Sequence, residues 1–239
     1  MKQPLIYEDL AKYYDLVYGK KDYRKEAKQV IKLIKKHKQS DGNDLLEVAC
    51  GTGKHVQYLK SKFECTGTDI NKGMLKVARK RISGVVFKKG NMINFRLGKK
   101  FDAITCLFSS IGYVKTYANL RKTIRNFYQH LKKGGVVIIE PWFTKKQFTH
   151  GYVSMATYNR PEIKIARVDF SSVKGNVSIM DMHYLVAEKN KGVRHFTEQH
   201  QMGLFEVGKT LAIMKKAGFK SEFLEPGPIG RGIYIGVKQ

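Results

Sequence analysis

The sequence is short of acidic residues, of cysteine and of long apolar stretches. Of its 239 residues, 20 are Asp or Glu against 45 Lys or Arg, and three are Cys. No apolar run approaches the roughly 20 residues that a membrane-spanning helix needs, so we expect no membrane anchoring. Residues 1–8 turn charged without an apolar core, which predicts a cytoplasmic protein and not a secreted one.

The cysteines do not form a pattern that suggests disulfides. Cys50, Cys65 and Cys106 are odd in number, make no C-x-x-C pair, and each lies in an apolar, strand-like segment. Such scattered cysteines are typical of a reducing compartment. We therefore predict buried, reduced thiols.

The formal net charge of +25 is the feature that most suggests nucleic acid. The lysines of residues 30–36 and 211–216, however, fall at the solvent-facing positions of helix-patterned segments. We interpret the charge as a source of solubility and of attraction for anionic small molecules, and we expect no nucleic-acid partner. A basic nucleic-acid-binding protein on the same fold remains the alternative from another class.

Two glycine-containing strand ends predict a nucleotide-type site. Residues 45–53, LLEVACGTG, end in a glycine turn, and residues 65–70, CTGTDI, place Asp69 at the tip of the next strand. Glycines let the backbone approach a ligand, and an acid at that tip can accept both ribose hydroxyls. Val56 stands where a dinucleotide fingerprint has its third glycine, which disfavours a pyrophosphate cradle. An ordinary strand-turn-helix joint is the alternative.

The hydrophobic pattern alternates strands with helices up to Trp142 and then changes. We predict strands at 45–49, 64–68, 85–87, 101–108 and 136–140, and helices at 24–37, 54–62, 72–81 and 120–131, the last stopped by Gly134 and Gly135. This order predicts an α/β fold with a doubly wound parallel sheet. Alternation from residue 151 to about 204 predicts an antiparallel β insert, and a helix at 206–217 leads back to the first sheet.

The predicted organisation has three parts. A tyrosine-rich N-terminal helical lid covers residues 1–40, and an α/β cofactor-binding core covers 41–142 and 204–239. The antiparallel insert, 143–203, is expected to serve substrate binding or dimerisation, and a homodimer is one expected assembly.

Several segments carry a closer resemblance. The glycine loop followed by an acid resembles class I S-adenosylmethionine-dependent methyltransferases. From about residue 7 to 237 the chain is similar to the N,N-dimethyltransferases of TDP-linked amino sugars, in segments of which the Phe-Ser-Ser-Ile-Gly, Glu-Pro-Trp and Gly-Pro-x-Gly-Arg-Gly motifs are the most selective. These segments are 14–18, 47–53, 108–113, 140–142, 192–196 and 227–232.

The resemblance implies a Rossmann-like class I fold, S-adenosylmethionine as cofactor, and a TDP-linked amino sugar that receives one methyl group and then a second. A methyltransferase of another small amine or metabolite is the alternative. In this interpretation Asp69 binds the ribose, and Asn91 replaces the aspartate that relatives usually show near the adenine amino group. The other predicted cofactor residues are Tyr14, Ala49, Cys50, Gly51, Gly53, Ile70, Met74, Met92 and Phe108.

For the substrate, Tyr113 is placed beside the reacting amine, in a reaction that the resemblance implies is driven mostly by approximation, with no dedicated strong base. Its alternative role is to pack against the cofactor. Arg231, between two glycines, is suited to bidentate contact with a diphosphate, unless residues 227–232 are only a hairpin connection. The other predicted substrate residues are Tyr7, Tyr23 and Trp142, for base stacking or lid closure, and Ser109, Ser110, Glu140 and His183.

The histidines do not indicate a metal site. His183, His195 and His200 lack an H-x-x-x-H spacing or a carboxylate triad, and strand parity puts His195 and His200 on opposite faces. We expect no metal, and interpret these residues as internally hydrogen-bonded or substrate-facing.

Overall fold

The computed structural model describes residues 11–19 and 21–239, which divide between two β-sheets. The helices are α1 (Ala11–Val17), α2 (Tyr23–His37), α3 (Val56–Leu59), α4 (Lys72–Arg81), α5 (Tyr117–His130) and α6 (Val207–Ala217), with a 3₁₀ helix at Ser110–Val114. The strands are β1 (Asp44–Val48), β2 (Glu64–Asp69), β3 (Val86–Lys89), β4 (Phe101–Cys106), β5 (Leu131–Ile139), β6 (Val153–Arg160), β7 (Ile163–Lys174), β8 (Val177–Glu188), β9 (Gly192–Gly203), β10 (Phe219–Leu224) and β11 (Ile233–Lys238).

The first sheet has seven strands in the order β10-β11-β5-β4-β1-β2-β3. Strand β1 pairs in parallel with β2 on one side and with β4 on the other, while β11 is antiparallel to both β5 and β10. The chain leaves β1 toward one edge and returns to β4 on the other side, so a crevice opens at the carboxyl ends of β1 and β4. This is the predicted doubly wound α/β sheet.

Helix α2 belongs to the core and not to a lid. Its Ala27, Val30 and Ile34 are at most 1% exposed and pack in one apolar cluster with the sheet. Asp22 caps this helix by accepting a hydrogen bond from the backbone N–H of Lys25. The predicted lid boundary at residue 40 therefore does not match the packing, whereas α1 contacts the antiparallel sheet through Tyr13 and the loop after β1 through Asp15.

Two predicted element boundaries were wrong. The helix expected at 54–62 is confined to the single turn of α3, and β5 begins at Leu131, so Gly134 and Gly135 lie inside a strand and not after a helix. Leu131 is already extended, and Gly134 has a φ of 75°. The register against β4 shifts between Phe101 and Ala103, because the added residues of β5 bulge out.

The second sheet is the predicted antiparallel insert, in the order β6-β7-β8-β9. Its inner face contributes Met180, Met182 and Met202 to a cluster that also contains Tyr13 of α1. Its outer face leaves large apolar side chains in solvent, with Met155 and Val193 each 69% exposed. Alternate residues along each strand thus point to a packed inner face and to a solvent-exposed outer face.

The charged and sulfur-containing residues lie as the sequence predicts. The three cysteines are free and buried. The lysines singled out above are exposed, namely Lys32, Lys35, Lys36, Lys215 and Lys216. Among the helices that the structure describes, none has the length and apolar character that crossing a membrane requires.

Candidate active site

The loop after β1 forms a concave run of backbone at the crevice. Ala49, Gly51 and Gly53 have positive φ angles of 54°, 55° and 80°. Alternation of this kind turns successive N–H groups toward one side, as in backbone anion nests. A Cβ on Gly51 would meet nothing within 4 Å, whereas one on Gly53 would come within 2.8 Å of the Ile82 side chain. Gly51 therefore faces open space, and Gly53 allows close packing.

Asp69 fixes this loop to the tip of β2. Its carboxylate accepts hydrogen bonds of 2.8 Å from the backbone N–H groups of Gly51 and Asn71. Burial raises the pKa of Asp69, and those two N–H groups oppose the rise. The adjacent Ile70 is 47% exposed, which leaves a large apolar side chain beside a hydrogen-bonding acid. This combination suits a nucleoside, with the acid toward the ribose and the apolar group toward the base.

The other predicted cofactor residues differ in their surroundings: some are buried in the core, and others are hydrogen-bonded within the protein. Met74 is buried under the Asn71 cap of α4, and the Cys50 side chain packs in the core, so only the Cys50 backbone faces the loop. Asn91 accepts a 3.0 Å hydrogen bond from the backbone N–H of Ile93, and the backbone carbonyl of Met92 accepts one from Asn126. The roles of these residues toward a cofactor stay predictions.

Helix α1 is fastened over the glycine loop by polar contacts that the sequence did not reveal. Asp15 accepts a 2.7 Å hydrogen bond from the Thr52 hydroxyl and forms an ion pair with Arg81. Arg81 also donates to the Thr52 backbone carbonyl at 2.6 Å. On the same helix, burial raises the pKa of Tyr14, and the hydroxyl of Tyr113 is among the groups that add to the rise. Helix α1 is thus held against the loop after β1.

The turn after β4 is held in a strained conformation. Phe108 and Ser109 have φ angles of 51° and 59°, which residues other than glycine rarely adopt. The Phe108 N–H donates to Glu140 at 2.5 Å, and the Ser109 hydroxyl donates to the Pro141 carbonyl at 2.6 Å. Glu140 is 1% exposed, and burial raises its pKa to about 7. The Glu-Pro-Trp segment therefore shapes this turn.

Arg231 reaches the same turn from the loop before β11. Its guanidinium donates to Ser109 at 2.8 Å and stacks on two aromatic rings, 4.7 Å from Trp142 and 4.5 Å from Phe143. Burial lowers its pKa, opposed by the charge of Glu140. Although Arg231 stands between two glycines in the sequence, its side chain is tightly held. Trp142 is held in turn by a 2.9 Å hydrogen bond to Ser178.

The antiparallel sheet supplies partners for Tyr113. The Tyr113 hydroxyl lies 2.7 Å from Nδ1 of His200, whose Nε2 lies 3.3 Å from Glu198. His200 is on the inner face of β9, whereas His195 is exposed on the outer face, as strand parity predicted. The sequence analysis interpreted His200 as internally hydrogen-bonded or substrate-facing, but it did not identify Tyr113 and Glu198 as its partners.

The structure does not bring the other predicted substrate residues together with Tyr113 and Arg231. His183 is exposed on the outer face of β8, where its ring stacks on His195 at 5.4 Å, so it lies away from the crevice and we leave it out of the substrate site. Tyr23 is buried with its ring edge against His55. Ser110 begins the 3₁₀ helix, and Tyr7 lies outside the described residues.

No group of three or more His, Cys, Asp or Glu within residues 11–19 and 21–239 has the arrangement of a metal site. The crevice instead combines the hydrogen-bonded strand ends at Gly51 and Asp69, helix α1 held beside them, and the turn at Ser109 with the Arg231 guanidinium. These features define a class I methyltransferase-like enzyme.

Comparison with known proteins agrees with this class. Residues 45–135 match the family described as a methyltransferase domain. The dTDP-3-amino-3,4,6-trideoxy-alpha-D-glucopyranose N,N-dimethyltransferase of Streptomyces venezuelae is 41% identical over 236 residues, which cover 97% of this chain and 99% of that protein.

Two solved structures are similar over the same length. The crystal structure of Streptomyces venezuelae DesVI has a TM-score of 0.91 and 40% identity, covering 97% of this chain and 99% of the other. An amino pentose methyltransferase from Micromonospora echinaspora, solved with S-adenosylmethionine bound, has a TM-score of 0.85 and 31% identity, covering 97% and 96%.

The chain is thus an S-adenosylmethionine-dependent methyltransferase with the class I fold. It belongs to the family of dTDP-amino-sugar N,N-dimethyltransferases. The predicted fold class, enzyme class and cofactor are confirmed. The residues also fit that cofactor, because Asp69 offers carboxylate oxygens beside an exposed apolar side chain and Gly51 leaves open space where a Cβ would stand.

Proposed function

We propose that the enzyme methylates the amine of a dTDP-linked 3-amino sugar, adding one methyl group and then a second. The observation that carries this substrate class is the Arg231 guanidinium, which lies against two aromatic rings and is hydrogen-bonded to Ser109. A guanidinium fixed in this way matches the oxygens of a diphosphate. The resemblance to an enzyme acting on a dTDP-3-amino sugar supports the same assignment.

Most of the catalytic task is positioning. Bound S-adenosylmethionine supplies an electrophilic methyl group on a sulfonium, and the protein must bring a neutral amine in line with it and exclude water. Helix α1, fastened to Thr52, covers the crevice on one side. We assign the Tyr113 hydroxyl, on the 3₁₀ helix that follows the strained turn, to the amine end of the substrate, and Arg231 to the nucleotide end.

The test is a substrate panel read by mass spectrometry. The enzyme is incubated with S-adenosylmethionine and, separately, a dTDP-3-amino sugar, a dTDP-4-amino sugar and the free 3-amino sugar. We expect single and then double methylation of the dTDP-3-amino sugar and little reaction with the free sugar. Equal methylation of the free sugar would show that the enzyme does not recognise the nucleotide, which would refute this part of the proposal.

We also propose that the outer face of the antiparallel sheet packs against a second copy of the chain. This face exposes large apolar side chains at Val153, Met155, Phe170, Leu185 and Val193, by 48–69%. Large apolar side chains exposed on one face of a sheet mark an interaction site, and the same face on two copies can pair about a two-fold axis.

Sedimentation measures this assembly directly. Leu185→Glu, in the middle of β8, should convert a dimer to monomers, because it buries a charge in the interface. Val86→Glu is the matched control, since Val86 is 55% exposed on the other sheet. A wild-type protein that sediments as a monomer would refute the proposal.

We propose a cytoplasmic location, because we expect the nucleotide-sugar substrate to be present there. The three free, buried cysteines support it, because they suit a reducing compartment.

A further inference from the structure

Two histidines on neighbouring strands meet on the outer face of the antiparallel sheet. His183 of β8 and His195 of β9 are both exposed, and Nδ1 of His183 lies 3.2 Å from Nε2 of His195. Thr197 stands directly opposite His183 in the register, and His195 is two residues before it on β9. The two imidazoles are therefore diagonal neighbours, whose side chains can touch across a strand pair.

The facing nitrogens share one proton in this arrangement. A hydrogen bond between two imidazoles needs an N–H on one ring and a lone pair on the other. The proton of a neutral imidazole can sit on either ring nitrogen. Nδ1 of His183 and Nε2 of His195 are therefore both bare when each ring carries its proton on the other nitrogen, and both lone pairs are then available to one cation.

The spacing of these nitrogens suits two ligands of one metal ion. Imidazole nitrogens bind zinc at about 2.0–2.1 Å in tetrahedral geometry, which places two of them about 3.3–3.4 Å apart. The observed separation is 3.2 Å, and the ring centres are 5.4 Å apart. Because both side chains are exposed, the rings can turn until their lone pairs meet at one ion without disturbing the core.

The surroundings favour one class of ion. Val168 and Leu185, opposite the two histidines in the register, are 51% and 52% exposed and bring no polar ligand. Asp181 lies on the same face, but its carboxylate accepts a 2.9 Å hydrogen bond from Gln199. Mg²⁺ and Ca²⁺ prefer oxygen ligands, whereas imidazole suits Zn²⁺, Ni²⁺ and Cu²⁺. Two imidazoles, with water in the remaining positions, thus select a divalent transition-metal ion.

We propose that His183 and His195 bind one divalent transition-metal ion on the outer face, through Nδ1 and Nε2 respectively. The spacing in the sequence does not reveal this pair, because the two residues meet only through the register of β8 and β9. The inner face of the sheet packs against Tyr13 of α1, so the ion and α1 lie on opposite sides of the sheet. The ion is therefore separate from the cofactor crevice, and this inference does not rest on the proposed substrate.

The experiment is a calorimetric titration of zinc into the full chain, freed of any affinity tag and in a buffer that does not bind metal. The variants His183→Gln and His195→Gln each keep a polar side chain but remove one imidazole. His150→Gln is the matched control, because His150 is also exposed but lies outside the pair. Magnesium is titrated in parallel as the ion that this site should reject.

The outer face is also proposed to pair two copies of the chain, so the titration is repeated on Met155→Glu. Met155 lies on β6, two strands from His183, and is 69% exposed. A charge there should keep the face in solvent without adding a ligand beside either histidine. The S-adenosylmethionine affinity of each variant, measured in the same way, checks that the protein is folded.

We expect one zinc ion per chain in the wild type, in His150→Gln and in Met155→Glu, and no binding of magnesium. Either variant of the pair should bind zinc at least about tenfold more weakly, because a second ligand on the same protein acts at a high effective concentration. Electron paramagnetic resonance of bound Cu²⁺ should show two imidazole nitrogens in the wild type and one in each variant of the pair.

Each other outcome decides the proposal. Equal zinc affinity in the wild type, His183→Gln and His195→Gln would show that zinc binds elsewhere and would overturn it, as would the absence of binding in both the wild type and Met155→Glu. Binding confined to Met155→Glu would support the site and show that pairing of two copies covers it. The substrate panel described above tests the proposed function independently of these results.

Discussion

The carboxylate of Asp15 joins helix α1 to both Thr52 and Arg81, so one side chain ties the cover of the crevice to the cofactor loop and to α4. Asp15→Asn removes the charge from this contact while keeping its shape. We expect cofactor affinity to fall about tenfold, or about 1.4 kcal/mol, because the cover opens more often. Stopped-flow release of S-adenosylmethionine checks this, with Asp41→Asn, at an exposed acid, as control. An unchanged release rate would show that α1 does not retain the cofactor.

Asp69→Asn tests the ribose contact. The change removes a charged acceptor that two backbone N–H groups already orient, so we expect a loss of about 1.5–3 kcal/mol in cofactor binding, the range for hydrogen bonds to a charged group. Calorimetric titration measures it. Asp181→Asn, at an acid on the outer face of the antiparallel sheet, should bind the cofactor normally. Equal affinities in the two variants would place the ribose elsewhere.

Arg231→Lys keeps the positive charge but loses the planar group that lies against the rings of Trp142 and Phe143. The KM for the nucleotide sugar should rise about tenfold, as expected when roughly one charge-assisted hydrogen bond is lost, and cofactor affinity should not change. Steady-state kinetics and calorimetry measure the two quantities. A weakened cofactor affinity with an unchanged KM would mean that Arg231 shapes the cofactor site.

Glu47 makes stability depend on pH. It is 2% exposed in β1, and burial raises its pKa from 4.5 to about 8, opposed by a hydrogen bond from Thr105. Between these two values the unfolded chain ionises while the folded chain holds its proton, so stability falls as the pH rises from about 5 to 8. Glu47→Gln mimics the protonated acid and should flatten that fall. Urea unfolding at several pH values tests this, and parallel curves for the two proteins would contradict it.

The proximity of Gly51 and Asp69, the proposed cofactor edge of the site, could be predicted from the sequence because it depends on local rules. Parallel strand ends converge at one edge of a sheet, so Gly51 and Asp69 had to lie close together once both strands were recognised. The observed hydrogen bond between them bears this out. Strand parity likewise separated His195 from His200 without any knowledge of the packing.

The substrate side could not be predicted because it depends on how distant elements pack. Tyr113 and His200 are 87 residues apart, and parity alone does not say which face of β9 turns inward. The same limit explains the assignment of His183 to the substrate site, which the packing of β8 turns to solvent. The contact between Arg231 and Trp142 joins two loops that are far apart in the sequence.

Because β11 follows the insert in the chain, the first sheet cannot be completed during translation until the insert has been synthesised. Strand β5 is bordered by β4 on one side and by β11 on the other, and β6 to β9 are translated between them. While the ribosome makes those four strands, one edge of β5 stays open, and open apolar edges invite association between nascent chains. A variant that delays folding of the antiparallel sheet should therefore yield aggregated protein and not a folded core without its insert.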